Sequence, residues 1–188
     1  RRQVTALNAT TRARLVHDGH VAAAGIPVEA GRRHLEFAVG DVVVITRNRR
    51  PLGVLNGMRG QINYIDARTS SVVMTDDLGE QHLLPRELLA SGDVQHGYAL
   101  TIHRAQGITV DTALVYGTAT LSKEAGYVAL SRGRIANHLF ASPEDMQNAA
   151  GDGPFDRDMQ DLLATVEQLA TRLSVTRRQQ LATSSLSP

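Results

Sequence analysis

Thr112-Ala113-Leu114-Val115-Tyr116 is an apolar run of strand length, Ser122 to Leu130 follows with helical spacing, and Asn137-His138-Leu139-Phe140-Ala141 is apolar again. A strand, a helix and a strand in that order predict α/β architecture. Immediately upstream the spacing predicts a helix from about Gly97 to Ala105, stopped by Gly107. Downstream, a segment opening at Asp152-Gly153-Pro154 carries Phe155, Met159, Leu162, Leu163, Val166, Leu169, Ala170 and Leu173 at steps of three and four, as an amphipathic helix does. From Thr183 on the chain is Ser-rich and is expected to be disordered.

Between residues 31 and 93 the texture is different. Short β-rich runs at His34 to Phe37, Asp41 to Thr46, Gly60 to Asp66, Ser71 to Thr75 and Gln81 to Leu84 alternate with turn signals at Val39-Gly40-Asp41, Asn56-Gly57, Asp66 to Ser70 and Asp76 to Gly79. Five short strands in so few residues describe a small barrel, closed by a helical turn from Pro85 to Leu89. Before it, Val4, Leu7 and Leu15 predict a helix from Arg2 to Asp18 capped by Gly19, and residues 20–33, with Gly25, Pro27 and Gly31, read as a connection. The expected organisation is a first helix in 1–30, a barrel inserted at 31–93, the rest of the α/β domain at 94–147, and a helix and tail at 148–188.

The chain has 188 residues and no cysteine, so structural disulfides, thiolate metal sites and cysteine nucleophiles are excluded. Its apolar runs, such as Val42 to Ile45, fall far short of the roughly 20 residues that span a bilayer, and a charged start without an apolar stretch behind it is not a signal peptide. A cytoplasmic location is expected, and the first residues read as an internal point of a longer chain. Of 20 basic residues only Lys123 is lysine. Residues 1–59 carry a net charge of +6 and residues 60–188 one of −5, which makes the first part the place where a polyanion would sit.

Two segments concentrate chemistry. In Gly97-Tyr98-Ala99-Leu100-Thr101-Ile102-His103-Arg104-Ala105-Gln106-Gly107, donors and acceptors crowd towards a glycine, where backbone N–H groups can reach phosphate oxygens. In Tyr127-Val128-Ala129-Leu130-Ser131-Arg132-Gly133-Arg134, two arginines flank a glycine at the end of an apolar helix. Such an arginine can stabilise a transferring phosphoryl group, although a helix C-terminus also favours ordinary surface arginines.

Together, in this order and about twenty residues apart, the two segments resemble motifs V and VI of superfamily 1 helicases of the RecD-like branch. Phe37-Ala38-Val39-Gly40-Asp41-Val42-Val43 and Asn56-Gly57-Met58-Arg59-Gly60-Gln61-Ile62 are similar to the SH3-like barrel, subdomain 2B, that these enzymes insert in their second RecA-like lobe, 2A. Gln3-Val4-Thr5-Ala6-Leu7-Asn8 resembles the start of the helix after motif IV. The run Gln106 to Asp111 resembles the helicase part of MobF-type conjugative relaxases, and Ile108 and Thr109 stand where many superfamily members place an acidic residue.

The resemblance implies a RecA-like parallel sheet and part of an ATP-dependent translocase on single-stranded DNA. Arg132 would be the arginine finger, with Arg134 the alternative, and Gln106 and Gly107 would face the nucleotide, ATP with Mg²⁺. Thr101 and His103 would touch the DNA backbone, joined by Arg47, Arg49, Arg50 and Arg59, with Asn56 shaping the intervening turn. The chain contains no Gly-x-x-x-x-Gly-Lys-Ser/Thr loop and no Asp-Glu pair after an apolar strand, so the partner it implies is an N-terminal helicase lobe of the same polypeptide, and other conjugation proteins stand beside it. His17, His20, His34, His82, His96, His103 and His138 are scattered and form no relaxase metal cluster. The rival reading is a binding module that has lost its motor, against which stand an intact Arg132 and Gln106-Gly107.

Overall fold

The computed structural model describes residues 2–31, 33–118 and 121–142. The chain divides into two compact units, Arg1–Arg104 and Ala105–Pro188. The expected amphipathic helix from Phe155 and the Ser-rich tail lie outside the described residues.

The first unit begins with helix α1 (Arg2–His17), ended by Gly19 at φ +77°, whose N–H donates to Val16 O. Strands β1 (Ile26–Ala30) and β2 (Arg33–Phe37) form an antiparallel hairpin in which Ile26, Val28 and Ala30 point inward. Strands β3 (Val42–Ile45), β4 (Arg59–Asp66), β5 (Ser71–Asp76), β6 (Gln81–Leu84) and β7 (Val94–His96) build an antiparallel sheet in the order β6-β5-β4-β3-β7. A single 3-10 turn, Arg50–Leu52, follows β3, and helix α2 (Arg86–Ala90) precedes β7. Ile26, Val28 and Phe37 from the hairpin join Val43, Ile45, Val54, Ile62, Val72, Met74, Leu84, Leu88, Leu89 and Val94 in one apolar core. Gly60 is required inside β4, where a Cβ would collide with Thr75 O of the adjacent strand.

Two expectations are corrected here. Residues 20–33 are not all connection, because β1 occupies 26–30: Pro27 falls on an exposed position of a two-stranded hairpin, where its missing N–H does no harm. The run His34 to Phe37 pairs with β1, and the fifth place in the larger sheet is taken by β7, whose three residues are too short to show a period.

The second unit holds β8 (Val110–Gly117), helix α4 (Lys123–Leu130) and β9 (Gly133–Ala141). The two strands pair in parallel from Val110↔Gly133 to Gly117↔Ala141, and α4 packs on both. Parallel neighbours need a crossover, and α4 lies on it. The Ser122 hydroxyl caps α4 by accepting the Ala125 N–H, and the small residues Gly126 and Ala129 are buried, as are Ala113, Val115 and Gly117 on one face of β8.

The helix expected over 97–105 is only one turn long, α3 (Ile102–Ala105). Gly97 donates its N–H to Val42 O, continuing the β7 pairing, and the Asn8 side chain holds Ala99 through both its backbone groups. These bonds hold residues 97–100 out of a helix, with bends at Tyr98 and Ala99, until Thr101, whose carbonyl and hydroxyl both accept the Arg104 N–H.

Candidate functional site

In the first unit, residues 97–104 start from a buried charge cluster. Asp41, fully buried at the head of β3, accepts from Arg12 Nε on α1 at 2.9 and 3.1 Å, from the Tyr98 hydroxyl at 2.6 Å and from the Ala38 N–H at 2.7 Å. His96 Nε2 lies 3.6 Å from the same carboxylate and 3.0 Å from Glu36 O. Burial alone would raise the Asp41 carboxyl, but His96, Tyr98 and the Ala38 N–H together outweigh it and hold it below the usual carboxylate range. Burial and the Asp41 charge push the Tyr98 phenol in the opposite direction, well above its ordinary value. Asp41 therefore stays an anion and Tyr98 a neutral donor, and the pair fixes where the segment begins. Beyond it Thr101 is half-buried and His103 exposed.

In the second unit, Gln106 is exposed and Gly107 takes the left-handed conformation at φ +88° with open space around it. The next carbonyl, Ile108 O, accepts from Arg132 Nη1 at 3.3 Å. Arg132 Nε donates to Val128 O at 2.8 Å and Nη2 donates to the Ser131 hydroxyl at 2.8 Å. The structure thus brings Arg132 against the loop of Gln106 and Gly107. Arg134 is exposed and paired with Asp111, its Nε 3.0 Å from Oδ1. Gly133 between the two arginines cannot carry a side chain, because a Cβ would strike Ala136 O.

The arginines of the first part are less free than their charge implies. Arg49 donates through Nε at 3.0 Å and Nη2 at 2.6 Å to Asp93, and Arg47 lies 3.9 Å from the same carboxylate. Burial would raise Asp93, and the Arg49 and Ser91 hydrogen bonds outweigh it. Arg59 donates to Gly97 O at 3.3 Å and sits 3.9 Å from Asp77. Acidic groups from beyond the +6 segment meet these arginines: Asp93, brought close where β7 pairs with β3, and Asp77, which follows β5 where it pairs with β4. Arg50 is exposed and makes no ion pair among the described residues. Asn56 and Arg59 line a pocket of about 320 Å³ with Leu55, Met58, Asp77 and Leu78, and Asn56 takes its turn geometry from its N–H bond to Asn48 Oδ1.

Sequence reasoning missed Asn8, Arg12, Asp41, His96 and Tyr98. Asp41 read as a turn residue because it follows Gly40, and nothing local marks a partner on α1, 29 residues away. The one grouping of metal-ligating type among the described residues, Asp76, Glu80 and His82, closes a hairpin: Asp76 accepts the Leu78 and Glu80 N–H groups at 2.9 Å and lies 3.0 Å from His82 Nε2.

The chain is 37% identical over 137 residues to the probable conjugal transfer protein TraA of Sinorhizobium fredii, and 34% identical over 140 residues to conjugal transfer protein TraA of Agrobacterium fabrum. These alignments take in 71% and 74% of the chain and 12% of each relative. No protein-family model matches the chain. Among solved structures, Bacteroides Pif1 bound to ssDNA superposes with a TM-score of 0.52 at 18% identity, over 69% of this chain and 38% of that one. A Pif1 structure concerned with unwinding at forked dsDNA gives 0.51 at 19% identity, over 70% and 37%. At this identity the likeness concerns the fold, α/β with mixed sheets.

Proposed function

The chain is homologous to one segment of the TraA conjugal transfer proteins, and we propose that it is the C-terminal part of the motor of such a protein, an ATP-dependent translocase on single-stranded DNA. Residues 1–30 and 94–147 then form the second RecA-like lobe and residues 31–93 its SH3-like insertion. The observation that carries this reading is the placement of Arg132 beside the Gln106-Gly107 loop, as an arginine finger next to the loop that faces the nucleotide. Bound ATP with Mg²⁺ would supply the phosphoanhydride whose cleavage drives movement. The residues present fit one side of that group only: a guanidinium and an open glycine turn for phosphate oxygens, with no lysine loop and no Mg²⁺ carboxylates. The other side would come from the N-terminal lobe. The purified 188-residue chain is accordingly expected to show no DNA-stimulated ATP hydrolysis, and steady turnover in a phosphate-release assay would overturn the reading.

DNA binding by this chain should be weak, indifferent to sequence and steeply salt-dependent, since backbone phosphates supply its energy. Thr101, His103, Arg47, Arg49, Arg50, Asn56 and Arg59 are the proposed contacts. Arg49 must share its charge with Asp93, whereas Arg50 has no such partner among the described residues. Arg50→Ala should therefore flatten the slope of log affinity against log salt by roughly 0.7, and Arg49→Ala by less. If Arg50→Ala leaves slope and affinity unchanged in fluorescence-anisotropy titrations, the DNA track runs past Thr101 and His103 instead.

A further inference from the structure

Resting on the finger assignment above, we propose that Ser131 is a positioning residue that presets Arg132 for phosphate. A guanidinium carries five N–H donors in a rigid plane. Three are tied here, Nε–H to Val128 O, one Nη1–H to Ile108 O and one Nη2–H to Ser131 Oγ. One donor on each Nη then has no acceptor among the described residues, and these two N–H groups remain to meet phosphate oxygens. The anchors are themselves fixed. Val128 O is a carbonyl of the last turn of α4, left without a helical partner because the Arg132 N–H turns to Ala129 O. The Ser131 hydroxyl donates to the same Val128 O at 3.1 Å, which directs its lone pairs outward to Arg132 Nη2. One serine hydroxyl thus closes a ring joining the helix end, the guanidinium plane and, through Nη1, the carbonyl that follows Gly107.

A long arginine side chain loses rotamer freedom when it is ordered, and a finger ordered in advance does not lose it at the transition state. Alanine removes both roles of the hydroxyl, and threonine keeps both, so the pair of variants separates positioning from mere occupancy of the helix end.

The experiment uses the polypeptide that joins this chain to its phosphate-loop lobe, with steady-state DNA-stimulated ATP hydrolysis as readout. Ser131→Ala should lower kcat about tenfold with KM for ATP changed less than twofold, and Ser131→Thr should restore kcat to within about twofold. In ¹⁵N spectra of the 188-residue chain, Ser131→Ala should also shift the Arg132 Nε–H signal and hasten its exchange with water, while Ser131→Thr leaves it in place. Unchanged kcat in Ser131→Ala, in an enzyme that Arg132→Ala cripples, would overturn the positioning role and leave the finger standing. An enzyme indifferent to Arg132→Ala would overturn the finger reading and the positioning role with it.

Discussion

Replacement of Arg132 by alanine in the complete motor should lower turnover by roughly 10³-fold or more while ATP binding changes little. The effect is large because charge accumulates on the phosphoryl oxygens only as the transition state forms, so a guanidinium aimed there acts on kcat rather than on affinity. Arg134 offers less: it is exposed, and its charge is already met by Asp111 across β8 and β9. Arg134→Ala should therefore cost little turnover. Single-turnover hydrolysis together with nucleotide affinity measures both quantities, and the assignment fails if Arg134→Ala abolishes turnover while Arg132→Ala is silent.

The elements that carry this site were legible in the sequence wherever the signal was local. Ser122 before Lys123 and Glu124 marks the start of α4, and the apolar runs of β8 and β9 read directly, although the strands extend to Val110 and Gly133 because parallel pairing recruits residues with no apolar period of their own. What could not be read is pairing at a distance. The non-helical path of residues 97–100 is held by Asn8, and a stretch with helical spacing stays out of the helix because tertiary hydrogen bonds override propensity. The same holds for Arg49, whose carboxylate partner is 44 residues away in sequence, just before the neighbouring strand β7. Composition counted that arginine as available, and geometry neutralises it. Arg132 and Gly107 were legible as motif residues, but the tie between them through Ile108 O depends on the return of β9 beside β8.

The second large effect is expected at Asp41. Its carboxylate is fully buried, with an ion pair to Arg12, whose side chain is 17% exposed, so removing one partner leaves the other charge in a medium that solvates it poorly. Asp41→Ala should lower unfolding stability by about 3–5 kcal/mol, while the double variant Arg12→Met with Asp41→Asn should recover part of the loss because no bare charge remains. Because the folded-state pKa of Asp41 is depressed, its contribution is complete above the unfolded carboxylate value, near 4, and is lost as the pH falls through the lower folded value. Tyr98 works in the other direction: its folded pKa is raised, so its contribution is complete below about pH 10 and fades as the pH rises beyond that. Urea unfolding across pH, on wild type, Asp41→Ala and Tyr98→Phe, measures each part. Tyr98→Phe should lose only the hydroxyl bond, about 1.5–3 kcal/mol for a donor to a charged acceptor, and should abolish the alkaline limb alone. A cost below about 1 kcal/mol for Asp41→Ala would mean that the cluster does not hold α1, β3 and the segment from Gly97 together, and that Asn8 with the apolar core is enough to place it.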